Sequence, residues 1–444
     1  MHEDRRGIAT TSSSAAAVAS LDKAVTSFLS HRRDTPDHID TALNRDPDLA
    51  VAHVFSGFLA LLLGRGELVP EARRSLERAR ASLLRRGGTL REQTLAEALA
   101  LWCEGEMEQA LDRLNEILVD APLDALTVKL GQSLGFMLGD TIGMRRSLEA
   151  VLPAWSDAVP GYGFILGCHA FALEETGELA AAEATGKAAV AREDRDVWSA
   201  HAVAHVYETR GAPAEGLAWL EAHADRWDAV NNFARHMEWH RALFHFAQND
   251  VDAVFDLYDR KIRDVKTDDY RDITNAASLL YRLEASGVGV GPRWCELADI
   301  AQHRLNDQTL AFAQLHYLLC LVGDRRWAAA FRLFAAMDLE GRAGQGTQAH
   351  LLAEIGVPMA KAILANCGAD YRTGASSAAA HQLDTTRLGG SRAQRQTFEQ
   401  ILRDAEAREK KSGQRLALML SRAARAATPR RYQAPRLGAA ALAR

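Results

Sequence analysis

Turn residues and small residues recur along this chain at spacings that suit paired helices. The first segment with this pattern carries Gly105, Ala110, Leu114 and Pro122, at spacings of five, four and eight residues. Later segments pair a turn residue with a small one: Gly177 with Ala182, Gly211 with Gly216, Asn249 with Ala253, and Gly323 with Ala328. The interval from Gly177 to Gly211 is 34 residues, and the next, to Asn249, is 38. A unit repeated at this interval buries only one face by itself, so it must stack against its neighbours to be stable.

A small residue at the turn, a small residue in the second helix, a bulky residue and then proline are typical of the tetratricopeptide repeat. The chain contains 48% hydrophobic and 25% charged residues and only 11 prolines, a composition that favours long helices in a folded protein. No alternating apolar and polar run argues for a sheet. We therefore predict an all-α, tetratricopeptide-repeat-like α-solenoid of stacked antiparallel helix pairs, which can reach 444 residues without a second core.

The two ends differ from the predicted solenoid, which spans residues 23–407. Residues 1–22 contain Glu3 and Asp4 and lack an apolar core, so we predict a flexible N-terminal arm and not a secretory signal. Residues 408–444 carry ten Lys or Arg and one acidic residue, in a chain whose net charge is −5. This composition predicts a basic capping helix with a solvated face, followed by a loose C-terminal tail; nucleic-acid binding is unlikely for it, because no aromatic interleaving accompanies the charge.

The cysteines and apolar stretches bear on the compartment. Five cysteines are scattered and form no C-x-x-C pair, which indicates reduced thiols in the core of a cytoplasmic protein. The longest apolar stretch, Val54 to Leu63, is about half the length that spans a bilayer, so no membrane partner is expected. The expected partner is a peptide or a small-molecule ligand, and a homo-oligomer is left open.

Histidine is the residue type that points most directly to a site. Six of the 15 histidines lie between His201 and His245, chiefly in the segments HAVAH and HMEWH. A helical residue advances by about 100°, so His201, His205 and Glu208 form one polar stripe. The same arithmetic places His236 and His240 on one face of the following A-type (first) helix, with His245 on the far side. The two stripes can therefore converge on the concave wall of the solenoid.

The first functional hypothesis is a histidine-rich concave groove that binds a peptide or a small polar ligand and needs no cofactor. Its predicted residues are His201, His205, Glu208, His236, Trp239, His240, Glu174, Asn275, Arg282 and His316. Trp239 would supply an apolar floor. Asn275 and Arg282 lie seven residues apart and share a helix face, where Arg282 could bind an acidic ligand or pair internally with Glu208.

The alternative hypothesis is an enzyme of the hydrolase class, with its site in the same groove. The two H-x-x-x-H pairs, His201 with His205 and His236 with His240, could bind zinc or a similar divalent metal. Glu208 or Glu174 would then be a further ligand or a general base. A histidine could also act as an acid or base without a metal. The histidines could instead only hydrogen-bond across the helix packing, which we expect of His245 and His169.

Several longer segments resemble the tetratricopeptide repeat protein 38 family. They are GFILGCHAFALEETGELAAAEATGKAAV, HAVAHVYETRGAPAEGLAWL, HMEWHRALFHF, LYDRKI and LGGSRAQRQTFEQIL. The resemblance runs from about Ala50 to Ala407 and implies stacked helix pairs, but no particular chemistry, because the family is largely uncharacterised. At Arg392 the chain departs from the family, which commonly has His there, and the end beyond Thr428 lies outside the resemblance.

Overall fold

The computed structural model describes residues 1–366 and 383–411, with side chains through residue 404, and this part of the chain is built from helices. The helices are α1 (Ala15–Leu29), α2 (Thr35–Arg45), α3 (Ala50–Leu62), α4 (Val69–Arg86), α5 (Leu90–Cys103), α6 (Met107–Asp120), α7 (Ala125–Leu138), α8 (Thr141–Val151), α9 (Tyr162–Glu175), α10 (Leu179–Arg192), α11 (Val197–Arg210), α12 (Pro213–Glu221), α13 (Phe233–Ala247), α14 (Val251–Leu257), α15 (Tyr270–Ala285), α16 (Arg293–Gln302), α17 (Ala311–Gly323), α18 (Trp327–Ala343), α19 (Thr347–Leu351), α20 (Val357–Asn366) and α21 (Arg392–Lys411). Two-residue strands, β1 (His2–Glu3) and β2 (Ala9–Thr10), pair antiparallel at the N-terminus.

The helices stack as antiparallel pairs, which confirms the predicted helical-repeat solenoid. Each first helix packs on its own second helix, as α9 does on α10, and also on the next first helix, as α9 does on α11 and α15 on α17. Burial separates the two layers. In α17, 12 of the 13 residues are buried, whereas α18 buries only four of its 17 residues. The first helices therefore form an inner layer that is covered on nearly every side.

The turns inside the pairs follow the predicted small-residue pattern, with one exception. Gly177, Gly211 and Asn249 have φ of 89°, 66° and 59°, in the left-handed region that glycine and asparagine tolerate best. At the last predicted turn, around Gly323, the left-handed residue is Arg325, with φ of 58°. Gly323 ends α17 instead, where a Cβ would lie 2.4 Å from the Trp294 ring, so close packing requires glycine there.

The solenoid curls until its early and late repeats touch. Arg65 pairs with Asp268, and Arg304 Nη1 lies 2.7 Å from Glu67 Oε1. The backbone N–H of Thr347 donates to the carbonyl of Gly105 at 3.0 Å. Helix α21 also packs against α15 and α20. The early and late repeats therefore meet across the concave side, which narrows the predicted groove.

The described N-terminal residues are packed onto the solenoid, in contrast to the predicted flexible arm. Arg6 Nη2 lies 2.6 Å from Asp22 Oδ1, and the Thr11 N–H donates to Glu92 Oε1 at 2.8 Å. The difference arises because the charged residues of the arm find buried partners on α1 and α5, which composition alone does not reveal. The predicted basic tail lies outside the described residues beyond Lys411.

Among the described residues, no helix is long and apolar enough to cross a membrane. Cys103, Cys168 and Cys320 are buried thiols and Cys295 is an exposed one, so the predicted core position does not hold for Cys295. Cys367 lies outside the described residues.

Candidate functional site

Helices α11 and α13 bring four histidines to a single point. The Asp196 side chain caps α11 by accepting from the backbone N–H groups of Trp198 and Ser199. Nε2 of His201 lies 2.9 Å from Nε2 of His205 and 2.9 Å from Nε2 of His236. Nε2 of His240 lies 3.2 Å from that of His236. Each ring can offer one nitrogen such that the four atoms lie within 4.8 Å of one another. We call these residues the histidine cluster.

The protonation of His236 is set by its neighbours on α15 and α21. The backbone N–H of Ser391 donates to Gln394 Oε1 at 3.0 Å, which turns the Gln394 amide nitrogen toward Asn275 Oδ1. His236 Nδ1 lies 3.1 Å from the same Asn275 oxygen. Since that oxygen can only accept, Nδ1 carries the proton of the neutral ring. Nε2 of His236 therefore points into the cluster as a bare lone pair.

Carboxylates lie behind two other members of the cluster. His240 Nδ1 lies 3.1 Å from Glu208 Oε2, and His205 Nδ1 lies 3.7 Å from Glu174 Oε2. An ionised Glu208 holds the proton of His240 on Nδ1 and leaves its Nε2 bare. His201 differs, because its Nδ1 is buried and has no hydrogen-bond partner among the described residues.

Burial keeps the imidazoles neutral. Desolvation is the largest cause that lowers the pKa of His201, His205 and His236 well below the usual 6.5, and it lowers the pKa of His240 to about 3. The rings consequently offer lone pairs at neutral pH without first losing a proton.

Desolvation acts in the opposite direction on the carboxylates behind the rings. It raises the pKa of Glu208, and with the nearby charge of Glu175 it raises the pKa of Glu174 to about 8. Both shifts reflect the cost of holding a carboxylate charge away from water.

Trp239 and Arg282 form a layer beside the cluster. The Trp239 ring stacks on His236 at 5.1 Å with an interplanar angle of 21°, so it occupies the predicted place of an apolar floor. The Arg282 guanidinium lies 5.6 Å from the centre of the Trp239 ring and donates to the carbonyl of Ala393. Within the described part of the chain, Arg282 makes no ion pair with Glu208 inside 4.0 Å. Burial lowers the pKa of Arg282 to about 10.

His316 is a predicted site residue that the structure does not bring into the cluster. Its Nδ1 donates to the carbonyl of Phe312 at 2.8 Å, and its ring packs edge-on against Phe398 at 4.8 Å. His245 also lies apart, with Nδ1 3.0 Å from Asp250 Oδ2. His169 Nε2 lies 3.7 Å from Glu149 Oε1, away from the cluster.

A cavity of about 400 Å³, partly open at its surface, lies beside the cluster, with His201 and His236 on its wall. Sequence reasoning missed the other residues that give this cavity its character: His31, Lys129, Gln132, Phe171, Trp198 and Phe233. Lys129 offered a usable signal, because it is a single charge inside the otherwise apolar and small-residue run ALTVKLGQSLGF. His31 offered none, since its place depends on how α1 meets the loop before α13.

Comparisons with known proteins add little to this geometry. No protein-family model matches the chain. Among solved structures, the crystal structure of the P58(IPK) TPR domain is similar at 14% sequence identity, over 79% of this chain and 89% of that one, with a TM-score of 0.21. A superposition this loose carries no argument about the site, and the helical-repeat assignment is therefore based on the stacked pairs themselves.

Proposed function

We propose that this protein binds a divalent transition metal such as zinc in the histidine cluster, and that it receives a small polar ligand in the adjoining cavity. The observation that carries the proposal is the 3.2 Å separation between Nε2 of His236 and Nε2 of His240, which are both unprotonated when Glu208 is ionised. Two lone pairs at this distance repel each other unless a cation lies between them. A metal ion removes that repulsion for all four rings at once.

The distances support the same proposal. Zinc binds imidazole nitrogen at about 2.0–2.1 Å, so the ligand atoms of a tetrahedral site lie about 3.3 Å apart. The three Nε2 separations of 2.9, 2.9 and 3.2 Å are close to that value. Hydrogen bonds from ligand histidines to a carboxylate or an amide oxygen orient the rings in metal sites, and Glu208 and Asn275 occupy these positions.

The metal-free groove is the competing hypothesis. It requires a protonated Glu208 that donates to His240 Nδ1, so that His240 can donate through Nε2 to His236. The raised pKa of Glu208 is compatible with that arrangement, whereas a bound cation would favour the ionised carboxylate. In both hypotheses the cavity volume of about 400 Å³ favours a small ligand over an extended peptide, although helical repeats commonly bind protein segments on their concave face.

The sequence resemblance agrees with a shared site. The segments HAVAHVYE and HMEWH, which resemble the tetratricopeptide repeat protein 38 family, contain all four residues of the histidine cluster. We infer that the chain is related to this family and that the cluster is part of the likeness. Arg392, the point of departure, donates its backbone N–H to Glu175 Oε1 at 2.7 Å.

Elemental analysis of the purified full-length protein tests the metal. We expect close to one equivalent of zinc or a similar ion per chain, and a fall in the melting temperature on treatment with a strong chelator, because binding to the folded state alone stabilises it. A protein without metal, which does not take up added zinc or cobalt and melts unchanged with chelator, would contradict the proposal.

Metal-dependent hydrolysis is a second candidate function, and His201 is the observation that favours it. Among the described residues, His201 Nδ1 has no hydrogen-bond partner, and its ring lies on the cavity wall. Catalytic zinc sites typically have three protein ligands and one exchangeable position, and His201 would occupy the exchangeable one. Ester hydrolysis that is lost with chelator, restored by zinc and absent in His240→Ala would support this function. Equal rates with and without metal would rule it out.

A further inference from the structure

We infer that the cavity ligand is a small organic carboxylate whose negative charge is bound by Lys129. This inference deepens the proposed ligand binding and relies on it, but it does not depend on which metal the histidine cluster binds. Lys129 lines the cavity and is only 4% exposed. Burying an ammonium without a counter-charge is costly, so a cavity built around one selects for an anion.

Among the described residues, no carboxylate makes a direct ion pair with Lys129. Nζ lies 3.0 Å from His31 Nε2 and 4.5 Å from the centre of the Trp198 ring. No carboxylate of the described residues lies within 4.0 Å of it. Asp196 is near enough to interact, but its oxygens already accept from the backbone N–H groups and the hydroxyl at the start of α11. Desolvation also raises the pKa of Asp196 to about 7, which weakens it as a counter-ion.

His31 contacts Lys129 from a constrained position. Its φ is 53°, a left-handed conformation that is uncommon for a residue other than glycine and often marks a functional position. Its ring stacks on Trp198 at 5.3 Å with an interplanar angle of 8°. Burial and the charge of Lys129 lower the pKa of His31 well below its usual value, so the ring is neutral and accepts a hydrogen bond. An ammonium has three N–H donors, and this bond uses one of them.

The remainder of the wall fits an apolar ligand body. Trp198 lies 4.8 Å from the Phe171 ring and 5.4 Å from the Phe233 ring, and these tilted rings give an aromatic wall beside Lys129. Three arginines also line the cavity: Arg271 lies 2.6 Å from Asp269, Arg32 lies 3.4 Å from Asp34, and Arg33 is exposed. A single ammonium among aromatic rings suits a carboxylate, whereas phosphate is usually bound by several donors or by a bidentate guanidinium.

Calorimetric titration of the full-length protein with benzoate and with its neutral analogue benzamide tests the inference. We expect benzoate to bind at least about tenfold more tightly, which corresponds to roughly 1.4 kcal/mol for one buried ion pair. In Lys129→Met this preference should disappear, while benzamide binding is retained. Lys187→Met is the matched control, because Lys187 is paired with Glu183 on the outer helix α10 and does not line the cavity.

Each outcome of the titration is decisive. Three results would overturn the inference. Benzoate could bind no more tightly than benzamide, or it could fail to bind at about 10 mM, where even a ligand with a millimolar Kd binds. The third is an unchanged preference for benzoate in Lys129→Met. If Lys129→Met does not fold, Lys129→Arg keeps the charge and should keep the preference. Metal content measured on the same samples separates the two proposals, because a wild-type protein that retains its metal but does not prefer benzoate to benzamide contradicts this inference alone.

Discussion

The histidine cluster and His316 are buried imidazoles on the same inner layer of helices, yet their nitrogens end in different places. His316 donates to a backbone carbonyl and packs its ring between Phe312 and Phe398. In the cluster, the outer nitrogens of His236 and His240 face an amide oxygen and a carboxylate, and the inner nitrogens face one another. The comparison teaches that burial and a lowered pKa do not identify a ligand histidine. What sets the cluster apart is that one nitrogen from each of four rings converges within 4.8 Å, whereas Nε2 of His316 is buried without a hydrogen-bond partner among the described residues and belongs to no such group there.

The largest expected effect comes from removing an oriented member of the cluster. His240→Ala should weaken zinc affinity by at least about 100-fold, because losing a ligand costs more than losing a hydrogen bond behind one, which typically costs 10–100-fold. Competition with a chromogenic chelator measures the affinity. If His240→Ala binds zinc as tightly as the wild type, the cluster is no different from His316.

A smaller loss of zinc affinity is expected from His201→Ala. The three remaining rings keep the partners or near neighbours behind them, Glu174, Asn275 and Glu208, so zinc should still bind, with a smaller loss of affinity than in His240→Ala, about 100-fold at most. The absorption spectrum of the cobalt-substituted variant should change, since the vacated position is open to water or to a ligand from the cavity. A loss as large as that of His240→Ala would show that all four rings are equivalent.

In metal-free protein, the pH dependence of the free energy of unfolding should reveal the neutral buried rings of both the histidine cluster and His316. The folded pKa is about 3 for His240 and about 4 for His316, both below the usual 6.5, so the unfolded chain binds more protons in this window. The stability that these neutral rings contribute is present above about pH 6.5 and is lost as the pH falls toward 4, by up to about 1.4 kcal/mol per pH unit for each ring.

Urea unfolding between pH 4 and 7 measures that slope, and His316→Leu should reduce it by the share of one ring. Glu174 has the opposite sign, because its folded pKa of about 8 is raised and its contribution is lost as the pH rises toward 8. A slope that does not change in His316→Leu would mean that this histidine is not buried as a neutral ring.

The smallest effect on metal binding is expected from His316→Leu. The substitution should leave zinc affinity unchanged and should lower the free energy of unfolding by about 0.5–3 kcal/mol, the usual range for single substitutions. Chelator competition and urea unfolding on one sample measure both quantities. A loss of zinc affinity in this variant would extend the site to α17.

Sequence periodicity predicted those parts of the molecule that depend on neighbours along a helix. The 100° advance per residue placed His201 with His205 and His236 with His240, and the repeat interval placed the two helices side by side. The positions of Glu208 and Asn275 followed from the same reasoning.

Contacts between distant segments could not be predicted in this way. The approach of α21 to α15 and the left-handed conformation of His31 depend on how the superhelix curls. His316 shares the inner layer with the cluster, but its side chain turns to Phe398 on α21, a partner that lies 82 positions further along the chain. The role of Lys129 was likewise hidden, since a lone lysine in an apolar helix reveals its surroundings only after the cavity has formed.

The contacts that join Arg65 and Glu67 to Asp268 and Arg304 change how the repeats share their stability. In an open array, each unit depends only on its neighbours, so an end can fray while the middle stays folded. Here the early repeats also depend on the late ones, so within the described part of the chain the unfolding of either group removes contacts from the other. The described repeats should consequently melt in one cooperative transition, and a molecule that opens at this seam exposes the histidine cluster and the cavity together.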